Sequence, residues 1–327
     1  GLGDVYKRQI DAQTLQVGKL VAFMEYLFHA MFSVMLFCMV FMLYPRASIS
    51  AKRIMAVLNT ETSIENHPGN AQTDSGSGEH SVIFEHVDFV YPDGEEAVLK
   101  DISFSAKSGE TVAFIGSTGS GKSSLIQLIP RFYDRASGNI YIDGQKIEDL
   151  DINALRSKIG FVPQKAHLFS GTIEENIRFG KPDATMDEII HAAKIAQAYD
   201  FIMEKPHQFQ EQIVEGATNV SGGQKQRLSI ARALIRKPEI YIYDDSFSAL
   251  DFKTDARLRK ALKPEIKNAI VFLVAQRIST ILDADKIVVL DEGKIAGIGT
   301  HRELLASCPI YYEIAASQLS KEELTYA

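Results

Sequence analysis

Several classes of protein are disfavoured by what this sequence lacks. Its two cysteines, Cys38 inside an apolar stretch and Cys308 near the end of the chain, are too few and too far apart for a disulfide scaffold or a cysteine-rich zinc site; they suit a reducing compartment. Basic residues are not in excess: 35 Lys and Arg against 42 Asp and Glu leave a formal net charge of −7, which disfavours a nucleic-acid partner. The charged-then-apolar-then-small layout of a secretory signal is missing, and no internal repeat stands out. The chain also lacks an initiating Met. Its opening GLGDVYKRQ is expected to be either translated adapter sequence or an ordinary polar loop on a truncated end, so residues 1–19 stand outside the fold expectation.

What is present divides into two unlike parts, although 46% hydrophobic and 24% charged residues over 327 positions is an ordinary globular balance. Leu20 to Tyr44 reads LVAFMEYLFHAMFSVMLFCMVFMLY, with Glu25 as its single formal charge. About 20 apolar residues at 1.5 Å each cross a bilayer core of about 30 Å, so this length predicts one tilted membrane span, and Arg46, Lys52 and Arg53 just beyond it place the downstream chain in the cytosol. Ile49, Ile54, Val57 and Leu58 at helical spacing extend the helix into a stalk, giving a span and stalk over residues 20–58. Residues 59–80, NTETSIENHPGNAQTDSGSGEH, have the polar, Gly- and Ser-rich composition of a linker. From residue 81 to 320, β-branched runs such as TVAFI, EIYIY, AIVFLVA and KIVVL alternate with helical patterns. That alternation predicts an α/β domain with a mainly parallel core sheet; residues 321–327 form a tail.

TVAFI runs into GSTGSGKSS, residues Gly116, Ser117, Thr118, Gly119, Ser120, Gly121, Lys122, Ser123 and Ser124, which fits the P-loop pattern of a phosphate-binding NTPase. Glycines let successive backbone amides face one anion, and the following helix adds its positive end. Lys122 reaches the β and γ phosphates of a nucleotide, and Ser123 binds Mg²⁺; a P-loop alone fits a kinase, a GTPase or a motor. Downstream, VSGGQKQRLSIARAL puts Ser221, Gly222, Gly223 and Gln224 ahead of a helical stretch, and IYIYDD ends on Asp244 and Asp245.

With these marks in place, residues 81–320 resemble the ATP-binding cassette (ABC) family, and the helix before them resembles the last transmembrane helix of an exporter-type half-transporter. The resemblance implies an antiparallel β subdomain and a helical subdomain beside the core sheet. It also implies roles for residues at matching positions. Tyr91 in FVYPDG is expected to stack on adenine, and Gln164 in FVPQKAHLFSGTIEENI to touch Mg²⁺ and sense the membrane domain. Glu215 in IVEGATNVSGGQ is expected to contact a partner's intracellular helices, or to be a solvated surface charge, and Asp251 to stand at a dimer interface. In this family two cassettes close head to tail, so Ser221 and its glycines would serve the ATP of a second half-transporter.

Two positions depart from the family pattern. Asp244 takes the usual metal position, but Asp245 replaces a glutamate that orients the attacking water, and its carboxylate is one methylene shorter; misplacement of that size costs roughly a hundredfold in rate. Gln276, in AIVFLVAQRIST, replaces the switch histidine and cannot become an imidazolium. The expectation is a degenerate site in one half of a heterodimeric exporter, whose partner carries the intact glutamate and histidine. A homodimeric exporter with slow hydrolysis and a soluble ABC ATPase stand as alternatives, and the apolar span counts against the soluble one. Glu25 and His29 are the strongly polar features of that span and do not define a transported substrate.

Overall fold

A computed structural model of the chain describes residues 1–12, 16–60, 62, 64, 66 and 80–319. Most of the expected linker and all of the expected tail 321–327 lie outside the described residues. The chain divides into two compact units, Gly1–Ser63 and Ile64–Ala327.

The first unit holds helices α1 (Leu2–Asp11) and α2 (Val17–Leu58). The opening residues are therefore helical where a polar loop was one expectation. Asp4 sits in the first turn of α1 and Arg8 in the last turn, a charge order that suits the helix dipole. The 42 residues of α2 span about 63 Å at 1.5 Å per residue, about twice a bilayer core. Span and stalk are thus one continuous helix, running through Pro45. It is long and apolar enough to cross a membrane, and it exposes large apolar side chains such as Phe28, Phe37 and Phe41.

The second unit begins with strands β1 (Ser81–Phe89), β2 (Leu99–Lys107) and β3 (Thr111–Gly116), helix α3 (Lys122–Leu128), and strands β4 (Ser137–Ile142) and β5 (Gln145–Lys146). Helix α4 (Ile152–Ser157), strands β6 (Ile159–Val162) and β7 (Gly171–Thr172), helices α5 (Ile173–Arg178), α6 (Met186–Ile195) and α7 (Tyr199–Met203), strand β8 (Gln212–Ile213) and helix α8 (Gly222–Leu234) follow. The chain continues through β9 (Ile240–Asp244), α9 (Phe252–Glu265), β10 (Ile270–Val274), α10 (Ile278–Ile281), β11 (Lys286–Asp291), β12 (Lys294–Gly299), α11 (His301–Ser307) and α12 (Pro309–Gln318).

The core is a six-stranded sheet in the order β12-β11-β3-β10-β9-β6, parallel except for β12, which pairs antiparallel with β11. Alternation of period two explains why its strands read as unbroken apolar runs. Phe114, Ile242, Phe272 and Val288 point to one buried cluster, under the four-stranded antiparallel sheet β2-β1-β4-β5. Ile115, Tyr243, Leu273 and Val289 point to the other, under the helices. A parallel strand covered on both faces has no polar side to show. The ABC cassette fold expected from sequence is the fold observed, with its β subdomain and its helical layer α5–α8. Capping boxes start four of the helices: Thr172 with Glu175, Thr185 with Glu188, Ser221 with Gln224 and Thr300 with Glu303.

Close backbone approach fixes the antiparallel sheet at the irregular pairing of β1 and β4 between Glu85 and Asp88. Gly138 holds φ 82° there, and a Cβ on it would lie 2.2 Å from the His86 carbonyl oxygen. Gly138→Ala is expected to destabilise the cassette by about 2–4 kcal/mol, from overpacking plus a left-handed backbone. Gly222→Ala, whose added methyl meets nothing within 4 Å, should leave the urea midpoint within error of the wild type, and equal midpoints for the two variants would refute this account.

Candidate functional site

Four adjacent strands, β3, β10, β9 and β6, deliver the candidate residues to one rim, because parallel strands all end on the same side. β3 runs into the P-loop and β9 ends on Asp244, while Gln276 follows β10 and Gln164 follows β6. A crevice at the carboxyl ends of parallel strands is where α/β sheets bind ligands. Here it is a cleft of about 760 Å³ that collects Gly116, Lys122, Ser123, Gln164, Asp244, Asp245 and Gln276, with Ser117, Thr118, Gly119, Gly121 and Ser124 on its P-loop side.

The cradle is shaped by backbone proximity. A Cβ at Gly116 would lie 2.0 Å from the Leu290 carbonyl oxygen, and one at Gly121 would lie 2.6 Å from Leu99 Cδ2. Gly121 also holds φ 95° as the cap of α3, a region that favours glycine. The first-turn amides of α3 have no intrahelical acceptors, so they face the cleft as donors for an anion. Lys122 Nζ is folded onto the loop, donating to Gly116 O at 2.9 Å, Ser117 O at 2.6 Å and the Ser120 hydroxyl at 3.2 Å. Burial holds its pKa below the ordinary lysine value, against the pull of Asp245 and Asp244. A phosphate would be a better partner for this ammonium than neutral carbonyls.

Asp244 is 5% exposed and accepts from the Ser123 hydroxyl at 2.8 Å. Burial raises its pKa, an effect countered by Ser123, reinforced by Asp245 and countered by Lys122. A hydroxyl and a destabilised carboxylate side by side are the hard-oxygen set that suits Mg²⁺, which would supply the charge the carboxylate lacks. Asp245, 7% exposed, continues the chain with φ 45°, a conformation aspartate tolerates better than most residues. Its Oδ2 accepts from Gln164 Nε2 at 3.1 Å and from Gln276 Nε2 at 2.7 Å. Two neutral amides thus converge on one oxygen of the candidate base.

Other expected residues lie elsewhere. The Tyr91 hydroxyl is 2.8 Å from Ser124 Oγ on α3, and its ring meets Phe89 and Tyr133 edge-on. Ser221, Gly222, Gly223 and Gln224 begin α8 and do not line the P-loop cleft. Ser221 and Gly222 are exposed; Gln224 N donates to Ser221 Oγ at 3.3 Å and Ser221 N to Gln224 Oε1 at 3.0 Å. Asp251 is exposed and caps α9 through Thr254 N at 3.0 Å, and Glu215 is exposed on a short 3₁₀ turn. Sequence reasoning missed α12, whose Ile310, Glu313, Ile314, Ser317 and Gln318 form a wall of the cleft. Nothing in their spacing from the P-loop signals it.

Residues 99–248 match the family model described as ABC transporter. The chain is 43% identical over 313 residues to an uncharacterized ABC transporter ATP-binding protein of Mycobacterium bovis, covering 95% of this chain and 53% of that protein. It is 48% identical over 237 residues to a Staphylococcus aureus protein named for multidrug export as an ATP-binding/permease protein, covering 72% and 41%. Among solved structures, a bacterial Atm1-family ABC exporter with ATP bound matches with a TM-score of 0.79 and 34% identity, over 86% of this chain and 49% of that one. The chain thus spans about half the length of the curated relatives it matches.

The buried Asp244 carboxylate gives a pH-dependent test. Folding raises the Asp244 pKa, so the native state holds that proton more tightly than the unfolded chain. Below the unfolded value both states are protonated and nothing is lost; stability falls as pH rises through the native value, and the whole penalty stands at neutral pH. Asp244→Asn keeps an acceptor for Ser123 and carries no charge, so the ligand-free variant should melt higher than wild type at pH 7, with the gap closing as pH falls through the carboxylate range. MgATP should raise its melting temperature less than that of wild type. A gap that widens on acidification would show that Asp244 is not the strained carboxylate.

Proposed function

We propose that this chain, which carries an ABC transporter ATP-binding domain, works in a membrane exporter as a half-transporter whose own ATP site is weakened and whose signature completes the site of a second half-transporter. The observation that carries this reading is the separation of its parts: P-loop, Asp244 and Asp245 share one cleft, while the SGGQ helix start lies outside its lining, with Ser221 and Gly222 exposed. The capping box occupies the Ser221 and Gln224 amides, which leaves the Gly222 and Gly223 amides at the start of this 13-residue helix to meet a second chain's γ-phosphate when two cassettes close head to tail. The relatives named as ATP-binding and permease proteins support a transport role. In that assembly, further transmembrane helices join α2 in the lipid bilayer, and the basic residues after Tyr44 keep the cassette in the cytosol.

Within the cleft, ATP is the substrate. The P-loop amides and Lys122 bind its phosphates, Tyr91 takes the adenine, and Ser123, Asp244 and Gln164 hold Mg²⁺, which neutralises charge on the transferred phosphoryl group when bound. Asp245 is left to orient water with a side chain one methylene short and one oxygen already engaged by two amides. Gln276 offers the γ-phosphate a neutral donor where developing negative charge calls for a cation. Binding is therefore strong and turnover in this site slow, while the partner's P-loop, faced by the intact signature here, carries most of the hydrolysis.

Two measurements test this. In the complete transporter, Gly222→Asp should remove most ATP turnover with the cassette still folded, since that position has open space around it; normal turnover would rule out the head-to-tail arrangement. The double variant Asp245→Glu with Gln276→His should raise single-turnover hydrolysis in this chain's site above wild type and above either single change, because water orientation and charge stabilisation act as a unit. This second assay belongs in a transporter whose partner has a disabled P-loop lysine and an SGGQ signature. No gain in the double variant, with ATP still bound, would remove Asp245 and Gln276 as the weak elements. Equal wild-type turnover in both sites would favour a homodimer.

A further inference from the structure

The switch loop between β10 and α10 is held from outside the expected catalytic set. Helix α10 has four residues, and its cap, Arg277, makes no side-chain capping bond. The first amide of α10, Ile278 N, instead donates to Gln318 Oε1 at 2.9 Å, while Gln318 Nε2 donates to the Gln276 carbonyl at 2.9 Å. A single side-chain amide therefore reads both sides of Arg277, as a neighbouring strand would. Gln318 is the last residue of α12, and that helix is rooted in the core by fully buried Tyr311 and Ala315. The Gln276 side chain in turn donates to Asp245 Oδ2 at 2.7 Å.

We infer that Gln318 is a positioning residue of the ATP site: it fixes the backbone of the switch loop so that the residue at 276 points at Asp245, and it ties the C-terminal helix to the hydrolytic centre. This rests on the ATP-site reading above and adds a residue to it. The geometry asks for a glutamine. Asparagine is one methylene shorter, alanine has neither group, and an ionised glutamate keeps the acceptor for Ile278 but sets an anion against the Gln276 carbonyl. A protonated glutamate restores both a donor and an acceptor.

The test compares wild type, Gln318→Ala and Gln318→Glu in the complete membrane protein in nanodiscs. Amide exchange at residues 275–281, MgATP affinity and single-turnover hydrolysis in this chain's own site are measured for each. Two ordinary hydrogen bonds predict that Gln318→Ala speeds Ile278 exchange roughly 5- to 150-fold. MgATP affinity should be unchanged, and single-turnover hydrolysis should fall by a similar factor. Gln318→Glu should fall between alanine and wild type in Ile278 protection at pH 8, because it keeps that acceptor but loses the bond to the Gln276 carbonyl, and recover wild-type protection as it is protonated below about pH 4.5. Unchanged exchange in Gln318→Ala would overturn the clamp, as would a glutamate variant that stays unprotected in acid while wild type is protected. Faster exchange with unchanged hydrolysis would overturn its positioning role. Wild type that fails to bind MgATP would sink the ATP-site reading instead, leaving the clamp a structural contact.

Discussion

The register of β10 against β9 is the constraint on which the site depends. It sets Val274 opposite Asp244, and the ladder runs one residue further, with Asp245 N donating to Val274 O at 3.0 Å. Because Asp245 is held to that carbonyl while its chain must turn away from the sheet, it takes φ 45° and presents its carboxylate to the loops after β6 and β10. A slip of one residue would turn every side chain of β9 to the opposite face. Asp244 would leave Ser123, and the tyrosines now under the helices would be driven under the β subdomain. The apolar cores on both faces thus specify the position of two carboxylates as firmly as any contact in the cleft.

The cleft is a balance of buried charges. Asp244 is pushed toward its protonated form and Lys122 toward its neutral one, each mainly by burial, and each is pulled back in part by the other. Neither group settles in a full ion pair: Lys122 is occupied by loop oxygens and Asp244 by a hydroxyl. Such a site gains when a polyphosphate and a divalent cation arrive together, since one satisfies the ammonium and the other the carboxylate.

Connections out of the cleft run through polar side chains on rigid helices. Gln226 of α8 donates to Pro163 O at 3.2 Å, next to Gln164, and Arg232 of the same helix binds the carbonyl oxygens of His167 and Asn176 at 2.9 and 2.8 Å. The helix that opens with SGGQ therefore also holds the loop that carries Gln164. Gln318 does the same for the switch loop from the other side. A change at either helix has a short covalent and hydrogen-bonded route to Asp245.

Much of this was legible in the sequence, for definite reasons. The P-loop, SGGQ and the paired aspartates are local patterns whose chemistry depends on spacing along the chain, and the central strands betray themselves as unbroken apolar runs because both their faces are buried. The long apolar α2 is legible from length and composition. Less visible were β2, whose Asp101, Ser103, Ser105 and Lys107 alternate outward, and β12, an edge strand with two glycines. The sequence alone therefore determined which groups are the candidates for phosphate and metal, because those groups are neighbours in the chain or carry a residue-type signature. Tertiary structure alone decided that Asp245 turns into the left-handed region, that two amides meet on one of its oxygens, and that Gln318, 42 positions beyond Gln276, closes on the switch loop. These are consequences of strand register and helix packing, and residues so far apart in the chain carry no local mark of being brought together.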